Sequence, residues 1–384
     1  MNANLGDQSS EHTKRLTEAH RIVVKIGSSL LINKETGELN RTWLESLASE
    51  LAELMADGKE VILVSSGAIA LGRAYLNMQP GQHRLDEHQA AAAAGQVVLA
   101  HGYQELMGGH GIKVAQVLLT PDDTEDRRRY LNARSTLETL MGLGVLPVIN
   151  ENDTVATQEI RYGDNDRLGA RVAEMVSADC LVLLSDVDGL YSADPTEDKT
   201  AQLIPEVWEI TPELEAVAGE SKTAYGSGGM ATKLAAARIC MSAGCATLIA
   251  NGHQSRPLAT VMAGSICTWF LPTKTPLAAR KQWIAGMLVP AGKLIIDQGA
   301  EKALHKGGSL LSVGVQAVEG KFERGDAVAI ATSDGRAIAH GLTAYSSDEA
   351  LIIMGVKSQE IEQNLGYQGR EELIHRDNLV LLEC

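Results

Sequence analysis

The segments RIVVKIGSS, EVILVSSGA, IKVAQVLLTPDD, VLPVINEND, CLVLLSDVDGL and ATLIANG share one pattern, an unbroken apolar run that leaves through small or polar residues. Unbroken rather than alternating runs of this length describe strands covered on both faces, as in a parallel sheet. Helical patterns lie between them. In WLESLASELAELMADG, Leu44, Leu47, Leu51, Leu54 and Met55 fall on one face, and Asp57-Gly58 closes the turn. QAAAAAGQVVLAHGYQEL and NARSTLETLMGLG read as helices as well. Strands alternating with helices predict an α/β three-layer sandwich around a mainly parallel sheet, joined by right-handed crossovers.

A chain of 384 residues exceeds one ordinary core. After about residue 280 the texture changes to short strand-like pieces broken by Gly, Asp-Gly and Arg-Gly-Asp turns. The expected organisation is a polar tail over 1–20, an α/β domain over 21–275, a linker over 276–290 and a small, mostly β module over 291–384. The tail lacks the apolar stretch of a signal peptide, and no window reaches the ~18 apolar residues of a membrane span. A net charge of −15 argues against general affinity for nucleic acid or anionic membranes. The five cysteines (Cys180, Cys240, Cys245, Cys267, Cys384) are odd in number and lack metal-type spacing, which suits reduced thiols in a cytoplasmic protein.

Ligands of open α/β sheets bind beyond the carboxyl ends of the strands. Here those ends carry Gly27-Ser28-Ser29, Ser65-Ser66-Gly67, Asn150-Glu151-Asn152-Asp153 and Ser185-Asp186. Lys25 stands among Ile22, Val23, Val24 and Ile26, where a lysine loses hydration and needs an anionic partner. No G-x-x-x-x-G-K-[ST] loop and no protein-kinase signature occurs. In YGSGGMATKLAAARICMSAG the spacing Gly226-x-Gly228-x-x-Ala231 superficially fits a dinucleotide fingerprint, but no strand precedes it. A glycine loop whose N–H groups meet phosphate at a helix N-terminus fits better, with Lys233 facing the same anion. Two lysines from distant parts of the domain, reaching one anionic site, are what phosphoryl transfer requires. The plain alternatives are a strand-end Lys25 snorkelling to solvent and a Lys233 solvated on a helix surface. Asp153, Asp164, Asn165 and Asp166 are expected in loops near the same edge, able to hold an ammonium, a Mg²⁺–nucleotide or the lysines themselves. Singly, each aspartate reads as a turn or cap residue, and it is their convergence that points to a site. His83, His88, His101 and His110 lack metal-site spacing and read as surface or helix-cap residues, and Asp126–Tyr130 as a solvated face.

The ordered set VVKIGSSL, VSSGAIALG, LNARSTLETL, PVINENDTVAT, GDND, SDVDGLYSADP and GSGGMATKL resembles the amino acid kinase family, in the order of its glutamate 5-kinase branch. VKIGSS alone would suggest only the broader family, with its aspartokinases, carbamate kinases and uridylate kinases. The C-terminal module looks like a PUA domain. The resemblance implies ATP-dependent phosphorylation of the side-chain carboxylate of L-glutamate, with Mg²⁺, feedback inhibition by proline and a homo-oligomer. It implies that Lys25 and Lys233 stabilise the transferring phosphoryl group and that Asp166 orients them. Gly27 and Gly67 would offer N–H groups to phosphate, and Ser66, Gly67, Asp153 and Asn165 would surround glutamate, with Asp153 suited to its ammonium. ATP would meet Lys25, Gly27, Ser185, Asp186 and the loop Ser227, Gly228, Gly229, Met230, Ala231, Thr232, Lys233. Ser185 and Ser227 stand where the family often has threonine, and Ala231 where it often has serine, which implies altered nucleotide affinity at most.

PUA domains elsewhere bind RNA, which raises a rival reading. Residues 291–384 hold 9 Lys/Arg against 14 Asp/Glu, a net of −5, and a phosphate-binding surface carries the opposite sign. A regulatory or assembly role for the module is the expectation.

Overall fold

The computed structural model describes residues 14–33, 35–79, 81, 83–155, 165–218, 229–285 and 290–382. The chain divides into two compact units, one spanning residues up to 276 without 126–131, the other made of 126–131 and 277 onward. Part of the stretch expected to be a linker is the helix Pro276–Ala285, whose Arg280 donates to the carbonyl of Asp377 and the side chain of Asn378 within the second unit.

In the first unit the apolar runs form β1 (Arg21–Ile26), β2 (Glu60–Val64), β3 (Val114–Leu119), β4 (Leu146–Glu151) and β5 (Cys180–Ser185). A two-residue hairpin, β6 (Leu190–Tyr191) with β7 (Leu203–Ile204), precedes β8 (Glu206–Val207), β9 (Ala246–Asn251) and β10 (Cys267–Phe270). The main sheet has the order β3-β4-β2-β1-β5-β9-β10-β8. Strands β1 to β5 and β9 run parallel, while β10 is antiparallel to β9 and β8 follows β10. The mainly parallel sheet predicted from the unbroken apolar runs is what forms.

β1 lies at the centre, paired with β2 on one side and β5 on the other. The chain thus fills the sheet on the β2 side before crossing to β5 on the other, and such a reversal of strand order is where open α/β sheets bind ligands. The parallel alignment sends the ends of β1, β2, β4, β5 and β9 to one edge. On the layer containing Asn165–Val176, that helix packs against β1 and against the helix Met230–Ser242. The helix Arg41–Ala56 buries Leu44, Leu47, Leu51 and Leu54 as its pattern predicts.

One helix contact leaves no room for side chains. The helices Ala68–Tyr75 and Leu85–Gly109 cross at Gly72 and Gly95. A Cβ on Gly72 would stand 1.7 Å from the Ala91 carbonyl oxygen, and one on Gly95 would stand 1.8 Å from that of Ala68. The shorter helix starts at Gly67, whose φ of 92° turns the chain sharply out of β2. Glycine takes this left-handed conformation without the penalty a Cβ brings.

The second unit is a mostly β module. Its five-stranded sheet has the order β13-β11-β14-β15-β17, formed by β11 (Gly292–Ile296), β13 (Val315–Gly320), β14 (Ala327–Thr332), β15 (Ala337–Leu342) and β17 (Leu379–Leu381). The short strands β12 (Leu310–Leu311) and β16 (Glu372–Ile374) pair separately. Leu294, Ile330, Ile338, Tyr345 and Leu373 lie in its core. Ser346 caps the helix Ser347–Ile353 reciprocally with Glu349.

Cys180, Cys240, Cys245 and Cys267 are free and buried, and Cys384 lies outside the described residues. Among the described residues no helix is long and apolar enough to cross a membrane.

The crossing yields a stability prediction. Gly95→Ala forces the two backbones apart, and overpacking of this kind costs about 1–3 kcal/mol or more. Urea unfolding at neutral pH, followed by circular dichroism, is expected to show a lower midpoint for Gly95→Ala. Gly108→Ala, on the same helix with nothing within 4 Å of the added carbon, is expected to leave it in place.

Candidate active site

Lys25 is the fifth residue of β1, held between Val64 of β2 and Leu183 of β5, and it is 5% exposed. Its aliphatic stem runs over Gly169 of the helix Asn165–Val176, where an added Cβ would lie 3.5 Å from Lys25 Cβ. The ammonium reaches Asp166, the second residue of that helix, forming an ion pair with Oδ1. Lys233, the fourth residue of the helix Met230–Ser242, approaches the same carboxylate from the other side, with Nζ 3.2 Å from Oδ2. Thr232 Oγ1 lies 3.1 Å from Oδ2 and 2.7 Å from the Gly229 carbonyl oxygen, so its one proton serves either acceptor.

Asp166 is fully buried and Lys233 is 3% exposed. Burial acts to raise the Asp166 pKa, but the attraction of Lys25 and then Lys233, with their hydrogen bonds, holds it below the ordinary carboxylate range. Its place in the first turn of a helix adds the favourable end of the helix dipole. Two cations on one carboxylate leave these three side chains one positive charge in surplus. Sequence reading expected Asn165 and Asp166 in a loop, whereas they open a helix, and this is what aims Asp166 at both lysines.

Beside this cluster lies a chain of amides that sequence reasoning did not assemble. Asn165 Nδ2 donates to the Ser65 carbonyl oxygen and, at 2.7 Å, to Asn150 Oδ1. Asn150 Oδ1 also accepts the Glu151 backbone N–H at 2.9 Å, while Asn150 Nδ2 donates to Gln96 Oε1 at 2.9 Å. Ser65 Oγ and Tyr103 OH, both buried, share a hydrogen bond of 2.9 Å. The polar residue inside the apolar run LPVINE was the available signal, because a buried asparagine demands partners. Those partners lie 54 residues before it and 15 after it.

The remaining candidates divide. Ser66 and Gly67 are half-buried at the end of β2, and Asp153 is half-buried just beyond β4. Gly27 does not turn its N–H to the edge as expected, for it donates to the Leu184 carbonyl at 3.3 Å and prolongs the β1–β5 ladder. Ser185 is buried with Oγ 3.0 Å from Oδ1 of the exposed Asp186. Gly229 precedes the helix Met230–Ser242, whose start has no side-chain cap among the described residues, while the Thr232 N–H donates to the Gly229 carbonyl at 3.2 Å. Met230 is half-buried there and Ala231 is exposed. Ser227, Gly228 and Asp164 lie outside the described residues. His83, just before the helix Leu85–Gly109, has a side chain only 10% exposed, and His88 is half-buried and meets Arg73 at 2.9 Å.

Chemically, the cluster can attract an anion whose charge grows during reaction and spread that charge over two ammonium groups. Among the described residues no group of three or more His, Cys, Asp or Glu is placed to cage a metal. A divalent ion that keeps most of its ligands from phosphates and water fits that donor set.

With the geometry in hand, comparison with known proteins gives three findings. The profile of the amino acid kinase family matches residues 20–251, and that of the PUA domain matches residues 292–365. The chain is 60% identical to the glutamate 5-kinase of Paramagnetospirillum magneticum over 366 residues, 95% of this chain and 99% of that one. It is 58% identical to the glutamate 5-kinase of Rhodospirillum rubrum over 359 residues, 94% of this chain and 96% of that one.

Asp166→Asn tests the electrostatics. Removing one partner of a buried ion pair costs about 3–5 kcal/mol, so the variant is expected to unfold at clearly lower urea at pH 7. A carboxylate with a depressed folded pKa contributes stability above its unfolded pKa and loses it as pH falls through the folded value. The stability gap between wild type and Asp166→Asn is therefore expected to be full near neutrality and to shrink below about pH 4. A gap independent of pH would mean that Asp166 is not the charged partner.

Proposed function

The chain belongs to the amino acid kinase family, and from that premise we propose that it transfers the γ-phosphoryl group of ATP to the side-chain carboxylate of L-glutamate. The product is L-glutamyl 5-phosphate, and the reaction is the first step of proline biosynthesis. The observation that carries this reading is the meeting of Lys25 and Lys233 on Asp166 at the carboxyl edge of the sheet.

Both substrates are anions, so their approach is opposed by repulsion that a local surplus of positive charge offsets. A carboxylate oxygen of glutamate attacks the γ-phosphorus. The new C–O–P bond forms as the bond to the β,γ-bridging oxygen breaks, and ADP leaves with that electron pair. The glutamate carboxylate is already ionised at neutral pH, so no general base is needed. Lys25 and Lys233 stabilise the equatorial oxygens during transfer, one from each side, because Asp166 fixes both ammonium groups. The first-turn N–H groups at Gly229 and Met230 offer donors to nucleotide phosphate. Mg²⁺ bound with the nucleotide would supply further neutralisation of phosphate charge. Asp153 would receive the substrate's ammonium, with Ser66 and Gly67 at its carboxylate. Ser185 and Asp186 border the nucleotide. Inhibition by proline, self-assembly and a cytoplasmic setting complete the reading.

With ATP, Mg²⁺, glutamate and hydroxylamine, the purified protein is expected to form the γ-glutamyl hydroxamate, and addition of proline to slow it. Aspartate, carbamate and UMP offered in place of glutamate are expected to support little turnover, measured as ADP release. Lys25→Ala and Lys233→Ala are each expected to lower kcat by about 10²–10³, the usual loss for one transition-state donor. Hydroxamate formation that survives both substitutions would remove the lysines from the chemistry.

A further inference from the structure

The amide chain at the site has a direction, and backbone groups at two points fix it. The Glu151 N–H can only donate, so the Asn150 atom 2.9 Å away is the carbonyl oxygen Oδ1. Asn150 Nδ2 then points the opposite way, to Gln96 Oε1. The Ser65 carbonyl can only accept, so Asn165 must turn Nδ2 to it, and the same nitrogen meets Asn150 Oδ1. Both donor hydrogens of Asn165 are thereby taken up. Its one remaining polar atom is the acceptor Oδ1, which makes no hydrogen bond among the described residues.

We propose that Gln96, on the helix Leu85–Gly109, is a positioning residue for the reaction: by accepting from Asn150 it anchors the Asn150–Asn165 pair in place, so that Asn165, whose direction the Ser65 carbonyl sets, holds its acceptor toward bound glutamate. An acceptor suits the α-ammonium, and a flipped amide would set NH₂ against it. This rests on the glutamate-kinase reading and adds to it a residue that touches neither substrate. Gln96 itself is 9% exposed, so the bond to Asn150 is shielded from competing water. Without an acceptor at position 96, Asn150 Nδ2 would lose the one acceptor it has among the described residues. Reversing Asn150 would pair nothing, because its NH₂ would then face two donors, the Glu151 N–H and Asn165 Nδ2.

The side chain at 96 also borders a cavity of about 220 Å³, lined by Ala100, Gln104, Val114, Gln116 and Val148. An alanine there would admit a water that replaces the lost acceptor. Leucine fills the volume and brings no acceptor, while glutamate keeps one.

The test uses the full chain and initial-rate kinetics with glutamate and ATP varied separately. Gln96→Leu is expected to raise the KM for glutamate about 10- to 100-fold, the loss expected for a weakened hydrogen bond to a charged group. The KM for ATP and kcat are expected to stay within about threefold, and Gln96→Glu to return the glutamate KM to within about threefold of wild type. Gln96→Met, equally without a strong acceptor and more adaptable in shape, takes the place of leucine if that variant does not fold. An unchanged glutamate KM, an equal rise in both KM values, or a Glu variant as impaired as Leu overturns the proposal. Failure of the underlying reading is distinct, since the unsubstituted protein would then form no hydroxamate from glutamate.

Discussion

Asp166 forms ion pairs with both Lys25 and Lys233, and all three side chains are nearly or fully removed from solvent. Lysines this deep are unfavourable on their own, since each loses hydration that an apolar interior does not replace. The carboxylate makes their burial tolerable and also holds them apart at a fixed spacing. Such an arrangement is weak evidence for stability, because well-packed apolar side chains often do as well. Its persistence in a core strand is better explained by what a rigid pair of cations does to a passing phosphoryl group.

The sheet supplies that rigidity. β1 is flanked by β2 and β5, so the position of Lys25 is set by hydrogen-bonded neighbours on both sides. The two helices bearing Asp166 and Lys233 pack on each other and fix the second half of the cluster. On the other flank, Gly72 and Gly95 bring two helices to backbone contact. That closeness carries Tyr103 and Gln96 within reach of Ser65 and Asn150. Close helix packing at glycines therefore belongs to the same construction as the polar network it encloses.

Much of this was legible in the chain. Unbroken apolar runs gave the parallel strands and hence the edge where ligands gather, and a lysine inside VVKI announced an anionic partner. The partner's identity was less accessible, because Lys25 and Asp166 are 141 positions apart and nothing local links them. In the sequence GDND reads as a loop, yet Asn and Asp are also favoured where helices begin. The family resemblance makes Gly27 a phosphate donor, but only the strand register reveals that its N–H is used by Leu184. The amide chain was hidden for a related reason. Gln96 sits in an alanine-rich helical pattern and Asn150 in a strand, and only the tertiary contact gives either a role.

The adjacency of Asn165 and Asp166 joins these observations. Consecutive residues in the first turn of a helix project in different directions, about 100° apart around the axis. Here one residue enters the amide chain that runs through Asn150 to Gln96, and the next enters the charged cluster with both lysines. In the proposed function, the start of this helix thus holds the group that would read glutamate and the group that would orient the two cations, with a single peptide bond between them. A shift of the helix start would disturb binding and transfer together, whereas a change at Gln96 reaches only the first. That separation is why a KM effect confined to glutamate, without loss of kcat, discriminates a positioning role from a general loosening of the fold.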